Sequence, residues 1–245
     1  TCFMPGEIKN TYGTGCFILC NTGSRPVSSK NGLLTTIAWR FGNETIYALE
    51  GSVFNAGSAI QWLRDELKII TRSAECDELA AKTHDNNGVY FVPAFTGLGA
   101  PHWDMYARGT ITGITRGTTR EHLARAVLES IAYQSEDVLA AMRKDSKLKF
   151  KSIYADGGAS ASRVLMQFQS DILNLTVDKP VILETTALGA CYLAGLSTSF
   201  FESFDDIKST WRLDKTFSPK MDEDDRTSHI KGWKKAIEAT RKFKL

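Results

Sequence analysis

The chain has 245 residues, a net charge of +2 and a hydrophobic fraction of 42%. This length suits one large domain that can bury a substantial core. Because the charges nearly balance, composition gives no reason to expect a nucleic-acid partner. No apolar run is long enough to cross a bilayer, so the sequence predicts no membrane segment.

The 5 cysteines include no CxxC pair. Cys16 and Cys20 lie four residues apart, but no second His or Cys pair follows at zinc spacing, so we predict no metal site in this chain. Their segment, CFILC, is typical of a buried strand. Reduced thiols of this kind favour a cytoplasmic protein.

Three strands are predicted near the start of the chain. They cover residues 15–21, 32–41 and 45–50, and each is rich in strand-forming side chains. Two of the connections are short and rich in turn residues, as antiparallel neighbours require.

Helices and strands alternate in the remainder of the chain. A capping box of Thr118 and Glu121 marks the start of a long helix, and the other helices follow from the spacing of apolar residues. The pattern predicts an α/β domain with a mixed sheet. The predicted helices cover residues 56–67, 71–87 and 187–196, with three more that start at 118, end near 174 and start at 223. The predicted strands cover residues 89–92, 110–115 and 150–155, with one more that ends at 177.

The turn NTYGTGCF at residues 10–17 is the first candidate site. Glycines let the backbone approach a ligand closely, and successive N–H groups in such a turn can bind an anion. Thr14 adds a hydroxyl donor beside Gly13. The motif by itself fits a phosphate site and an ordinary glycine turn equally well.

Two other glycine segments are candidates on the same reasoning. DGGAS at 156–160 follows a predicted strand and precedes a helix, where the helix N-terminus favours a nucleotide or its phosphates. Gly57 lies near a helix start, with Gln61 one turn further on. No Walker A or G-x-G-x-x-G motif occurs. A tight turn explains the DGGAS segment equally well, and helix packing is the favoured explanation of Gly57.

The loop at residues 95–104 contains His102 and Asp104. Their spacing does not define a catalytic dyad, and a structural loop that touches another domain is the favoured interpretation. A kinase of small alcohols needs a carboxylate to accept the hydroxyl proton and magnesium to bridge the phosphates. No carboxylate in the sequence has a clear claim to either role.

Together these segments resemble the glycerol kinases, a branch of the FGGY carbohydrate kinases in the actin, Hsp70 and hexokinase superfamily. The resemblance covers nearly the whole chain, and eight motifs occur in order. They are NTYGTGCF at 10–17, NGLLTTIAW at 31–39, YALEGSVF at 47–54, IQWLRDEL at 60–67, VPAFTGLGAPHWD at 92–104, LESIAYQ at 128–134, DGGASASRVLMQFQSDIL at 156–173 and ETTALGACYLAG at 184–195.

The resemblance implies a ribonuclease H-like (actin-like ATPase) domain with helices on both faces of the sheet. Residues 1–245 would form the C-terminal, ATP-binding half of a kinase that phosphorylates glycerol with ATP and Mg²⁺. The implied ATP-binding residues are Gly13, Thr14, Gly57, Gln61, Gly158 and Ser162. Serine stands where related glycerol kinases usually have asparagine at position 162, which puts contact with the adenine base in doubt.

The resemblance also implies that Phe17 packs against glycerol. The catalytic base and the remaining glycerol contacts would lie in an N-terminal domain upstream of Thr1, so the isolated chain is expected to be inactive. A homo-oligomer is implied as well. Two alternatives remain: a kinase of another polyol or sugar in the same family, and a non-catalytic actin-like nucleotide-binding module.

Overall fold

The computed structural model describes residues 2–243 and is built on one seven-stranded sheet with a separate two-stranded pair. The strand order in the large sheet is β3-β4-β2-β1-β7-β8-β9, and β5 pairs with β6. The strands are β1 (Ile8–Tyr12), β2 (Cys16–Gly23), β3 (Leu34–Phe41), β4 (Glu44–Val53), β5 (Tyr90–Val92), β6 (Thr110–Thr112), β7 (Ser152–Asp156), β8 (Thr176–Pro180) and β9 (Leu213–Phe217).

The large sheet is mixed, as predicted. Strands β3, β4, β2 and β1 are antiparallel neighbours, β1, β7 and β8 are parallel, and β9 is antiparallel to β8. The three predicted strands near the start correspond to β2, β3 and β4, and the structure adds β1 before them. The sequence hides β1 because Asn10 occupies a core position, where its Nδ2 donates to Ser135 Oγ at 3.1 Å.

Helices cover both faces of the sheet. On one face Gly51 of β4 lies against Val138 of the long helix, and on the other Leu19 and Ala48 line a cavity of about 400 Å³ with Gly189 and Ala190. The helices are α1 (Gly57–Asp65), α2 (Ser73–Ala80), α3 (Arg120–Ser146), α4 (Arg163–Leu173), α5 (Thr185–Ser197), α6 (Phe204–Thr210) and α7 (Glu223–Lys242). No helix within residues 2–243 has the length and apolar character needed to cross a membrane.

Two predicted helix boundaries are corrected. Helix α2 ends at Ala80 instead of continuing to residue 87, and its residues Cys76 and Leu79 are buried. Helix α3 is capped one residue later than predicted: the backbone N–H of Thr119 donates to His122 Nδ1 at 3.1 Å. The hydroxyl of Thr118 instead accepts from the backbone N–H of Thr115, closing the preceding turn.

Candidate functional site

The turn between β1 and β2 protrudes from the end of the sheet. Gly13 and Thr14 are exposed, whereas Tyr12 and Gly15 on either side are buried. The N–H of Gly13 donates to the carbonyl of Gly15 at 2.9 Å, which closes the turn. Thr14 therefore lies in a tight turn that is open to solvent, where its hydroxyl can donate to a phosphate.

The start of helix α1 is fastened to this turn. The N–H groups of Ala56 and Ser58 donate to the Thr14 carbonyl at 2.9 and 3.1 Å, and the N–H of Gly57 donates to the Gly13 carbonyl at 3.0 Å. These amides satisfy the unpaired donors of a helix N-terminus and place its positive end beside the turn. A Cβ atom on Gly57 would lie 2.6 Å from the Gly13 carbonyl oxygen, so a glycine is required for this close approach.

The glycine pair after β7 forms the third part of the site. Gly157 has φ of +83°, and a Cβ atom there would lie 2.6 Å from the Tyr12 carbonyl oxygen. Gly158 is exposed, and a Cβ atom on it would have nothing within 4 Å. The structure thus brings Gly57 and Gly157 against the backbone of Tyr12 and Gly13, with Gly158 next to Gly157, although these segments lie far apart in sequence.

Ser162 and Gln61 lie on helices at the border of this glycine cluster. Ser162 caps helix α4: its hydroxyl accepts from the N–H of Leu165 at 3.0 Å and donates to Asp77 Oδ1 on α2. The N–H of Val164 also donates to Asp77 at 3.0 Å. Gln61 is exposed on α1, one turn after Gly57. The donor of Ser162 is therefore already used inside the protein.

Asp77 was missed by sequence analysis. It is one of several acidic residues in a polar stretch, and nothing in its local pattern distinguishes it. Only the folded chain shows that it joins α2 to the cap of α4 and so forms part of the wall beside Ser162.

Phe17 lies on the sheet face opposite the one that packs on α3, and 48% of its surface is exposed. In the strand register it lies between Ser52 of β4 and Thr11 of β1, and Thr11 is aligned in turn with Asp156 of β7. This row places an exposed aromatic ring close to the turn that carries Thr14. The ring is available to contact the carbon skeleton of a small molecule.

His102 and Asp104 do not form a pair. His102 Nε2 lies 3.0 Å from Asp137 Oδ2, which also accepts from Trp233 Nε1 at 2.8 Å. The carboxylate of Asp104 accepts backbone N–H groups within its own loop. The loop therefore packs against α3 and α7 of this chain, and the expected contact with another domain stays a prediction.

Burial keeps the Tyr12 hydroxyl and the Cys16 thiol, both next to the glycine cluster, in their neutral forms. Burial raises the pKa of Tyr12 well above its ordinary value, and its hydroxyl donates to Gln169 Oε1 at 2.8 Å. Burial also raises the pKa of the Cys16 thiol. Among residues 2–243 no group of three or more His, Cys, Asp or Glu side chains is arranged to hold a metal ion. The site offers hydrogen-bond donors and close backbone approach, not a nucleophile.

Substitution of the two neighbouring glycines should separate binding from folding. On the expectation from the family resemblance that this cluster binds ATP, Gly158→Ala should weaken that binding severalfold. It should change the free energy of unfolding by less than about 0.5 kcal/mol, because the new methyl group points into open space. Gly157→Ala is the matched control, and we expect it to cost stability by about 1–3 kcal/mol from its backbone angle alone. Calorimetric titration and thermal melting measure the two effects; equal ATP affinity in Gly158→Ala and the wild type would contradict this placement.

The chain matches the family model described as "FGGY family of carbohydrate kinases, C-terminal domain" over residues 8–198. It is 61% identical over 242 residues to a glycerol kinase of Thermoanaerobacter sp. (strain X514), a match that covers 99% of this chain and 49% of the relative. The chain thus spans about half the length of the curated relatives that it matches.

Solved structures agree with this match. A crystal structure of Plasmodium falciparum glycerol kinase with ADP superposes with a TM-score of 0.91 at 41% identity, covering 98% of this chain and 48% of that one. A gluconate kinase from Lactobacillus acidophilus, at 24% identity and a TM-score of 0.80 over 96% of this chain and 46% of that one, shares the fold. The family model covers most of the chain, including the glycine cluster and every strand of the large sheet except β9, so the chain belongs to the FGGY family of carbohydrate kinases.

Proposed function

We propose that this chain is the nucleotide-binding half of a kinase that transfers the γ-phosphoryl group of ATP to glycerol. The observation that carries the proposal is the convergence of three glycine segments on the backbone of Tyr12 and Gly13, in a chain 61% identical to a glycerol kinase. Phosphoryl transfer depends on positioning and charge stabilisation, and a rigid donor turn supplies the first of these.

ATP fits the residues that are present. The Thr14 hydroxyl and the exposed turn around Gly13 can donate to phosphate oxygens, and the N-terminal end of α1 behind them favours negative charge. The open space at Gly158 leaves room for the adenosine moiety against the backbone. Gln61 and Ser162 would border the nucleotide. The Ser162 hydroxyl could only accept a hydrogen bond from it, because that hydroxyl donates its proton to Asp77.

Mg²⁺ would neutralise the charge that develops on the transferred phosphoryl group. The described residues contain no cluster of three acidic, histidine or cysteine side chains to hold it. Magnesium keeps several waters and commonly binds through phosphates with one or two carboxylates. We therefore propose that this half binds the ion only through ATP.

Phe17 would contact the carbon skeleton of glycerol from the open face of the sheet. The proton acceptor for the glycerol hydroxyl would come from the half of the relatives that this chain does not match; its predicted place before Thr1 lies outside the described residues. We propose that the chain works joined to that half, in what is called below the longer protein, as a cytoplasmic homo-oligomer; light scattering on the longer protein tests the assembly.

A coupled assay tests the proposal directly. The longer protein should phosphorylate glycerol with ATP and Mg²⁺, whereas the 245-residue chain should bind ATP without turnover, since half of the cleft positions only one substrate. Efficient turnover by the chain alone would contradict the division of roles.

A substrate panel covers the remaining alternatives. Higher kcat/KM for xylulose or gluconate than for glycerol would identify another member of the family, and nucleotide binding without transfer to any polyol would identify a non-catalytic module. The glycerol kinase relatives at about 60% identity favour glycerol.

A further inference from the structure

An ion pair joins two strands next to the glycine cluster. Lys9 of β1 lies with its Nζ 3.1 Å from Asp156 Oδ2 of β7. The same ammonium group donates to Thr11 Oγ1 at 2.6 Å and to Thr186 Oγ1 at 2.8 Å. The hydroxyl of Thr185 also donates to Asp156 Oδ2. The side chains of Lys9 and Asp156 are only 20% and 3% exposed.

Protein groups surround the ammonium group of Lys9. It donates two of its three N–H groups to threonine hydroxyls and forms an ion pair with Asp156. Its role is therefore to hold protein groups in place. The contacts connect β1, the end of β7 and the first turn of α5, because Thr185 and Thr186 begin that helix.

Asp156 places a negative charge where a polyanion would bind. It directly precedes the Gly157–Gly158 turn, and it is aligned with Thr11, which lies just before the β1–β2 turn. Its second oxygen, Oδ1, is buried and has no hydrogen-bond partner among residues 2–243. A buried carboxylate without its cation would be costly, and it would repel phosphate groups held a few residues away.

We propose that Lys9 is a positioning residue for ATP. Lys9 neutralises Asp156 and connects the start of α5 to the strands that carry both glycine turns. This inference rests on the proposed function, because it takes the glycine turns as the phosphate site. It assigns the ion pair to ATP affinity, because Asp156 and Thr11 lie directly before the two glycine turns that would face the nucleotide. Thr11 is also aligned with Phe17, so the KM for glycerol is measured beside the KM for ATP.

The test uses steady-state kinetics of the longer protein with three variants at this pair and one control variant elsewhere. Lys9→Met should raise the KM for ATP at least about tenfold, because it leaves a buried carboxylate unpaired, with kcat and the KM for glycerol within about twofold. Lys9→Arg keeps the charge and should stay near the wild type. The double variant Lys9→Met with Asp156→Asn removes both charges and should recover most of the loss, as coupled residues do.

Lys179→Met is the control for losing a mostly buried lysine from an ion pair between strands. The Lys179 side chain is 18% exposed, and its Nζ lies 2.5 Å from the 47% exposed carboxylate of Asp214 on the neighbouring strand, away from the glycine turns. It should leave the KM for ATP unchanged. An unchanged KM for ATP in Lys9→Met, an equal rise in Lys179→Met, or a double variant as defective as Lys9→Met would overturn the proposal.

The two proposals fail in different ways. If the wild-type longer protein does not phosphorylate glycerol, the proposed function is wrong, and calorimetric ATP affinities of the same variants still decide the role of the pair. If Lys9→Met does not fold, the test compares the single variant Asp156→Asn with the double variant that carries Asp156→Asn and Lys9→Met. An ATP affinity of the double variant equal to that of Asp156→Asn supports neutralisation, and a further large loss contradicts it.

Discussion

Replacing Gly57 with alanine is expected to raise the KM of the longer protein for ATP at least about tenfold, which corresponds to about 1.4 kcal/mol of binding free energy. The added Cβ atom would lie 2.6 Å from the Gly13 carbonyl oxygen. That oxygen is backbone and cannot swing aside as a side chain could. Relief requires the turn and helix α1 to move apart, which displaces Gly13 and Thr14 together.

The same substitution should also lower the free energy of unfolding, by up to about 3 kcal/mol. Overpacking of this kind costs about 1–3 kcal/mol, and the advantage of about 1 kcal/mol that alanine has over glycine applies to helix interiors, whereas Gly57 is the first residue of α1. The KM is therefore measured at a temperature where thermal melting shows the variant to be fully folded, so that a rise in KM reports ATP binding and not unfolding.

Gly117→Ala provides the control for this experiment. Gly117 is exposed before α3, and a Cβ atom there would find its nearest neighbours at an ordinary 3.8 Å. We expect its KM for ATP to equal that of the wild type. A wild-type KM in Gly57→Ala would show that the turn and the helix do not act together in nucleotide binding.

Secondary structure could be predicted from the sequence where buried apolar side chains follow the spacing of a strand or a helix. Strands β2 and β4 could be predicted because buried residues such as Ile18 and Leu49 follow strand spacing. Strand β1 could not be predicted, because asparagine is typical of turns and only the structure shows that the buried Asn10 donates to Ser135. Local pattern therefore identifies elements whose burial is apolar and misses those that bury a hydrogen-bonded polar group.

The same limit applies to the site. The glycines were visible as turn residues, and the resemblance to a family assigned them a ligand, but their meeting around Tyr12 depends on the packing of distant segments. The Lys9–Asp156 pair and the contact of Ser162 with Asp77 had no sequence signal. Each joins residues on separate elements, which only strand order and helix placement bring together.

Replacing Arg125 with methionine is expected to cost about 3–5 kcal/mol of folding free energy at pH 8, because it leaves a buried carboxylate without its counterion. Glu129 is 1% exposed, and its two oxygens accept from Arg125 Nε at 2.8 Å and Asn86 Nδ2 at 2.7 Å. Arg125 also donates to the Thr83 carbonyl at 2.7 Å, so it joins α3 to the segment after α2.

The loss should depend on pH in a defined direction. Burial raises the pKa of Glu129 from 4.5 to about 7, so the folded state holds this proton more tightly than the unfolded state does. The stability that protonation contributes is complete below about pH 4.5 and is lost as the pH rises through about 7. Without Arg125 the pKa rises further, since the opposing positive charge is gone. The difference between variant and wild type should therefore grow from pH 5.5 to pH 8.

Denaturant unfolding of both proteins at each pH measures this difference, and comparison at equal pH cancels the other titrating groups. Arg72→Met is the control: its pair with Glu78 is 59% and 52% exposed, and such surface pairs contribute about 0–1 kcal/mol. Adding Glu129→Gln to Arg125→Met should remove most of the pH dependence, because the amide cannot ionise. If that double variant keeps the slope of Arg125→Met, the titrating group is not Glu129, and the buried pair does not control the stability of α3.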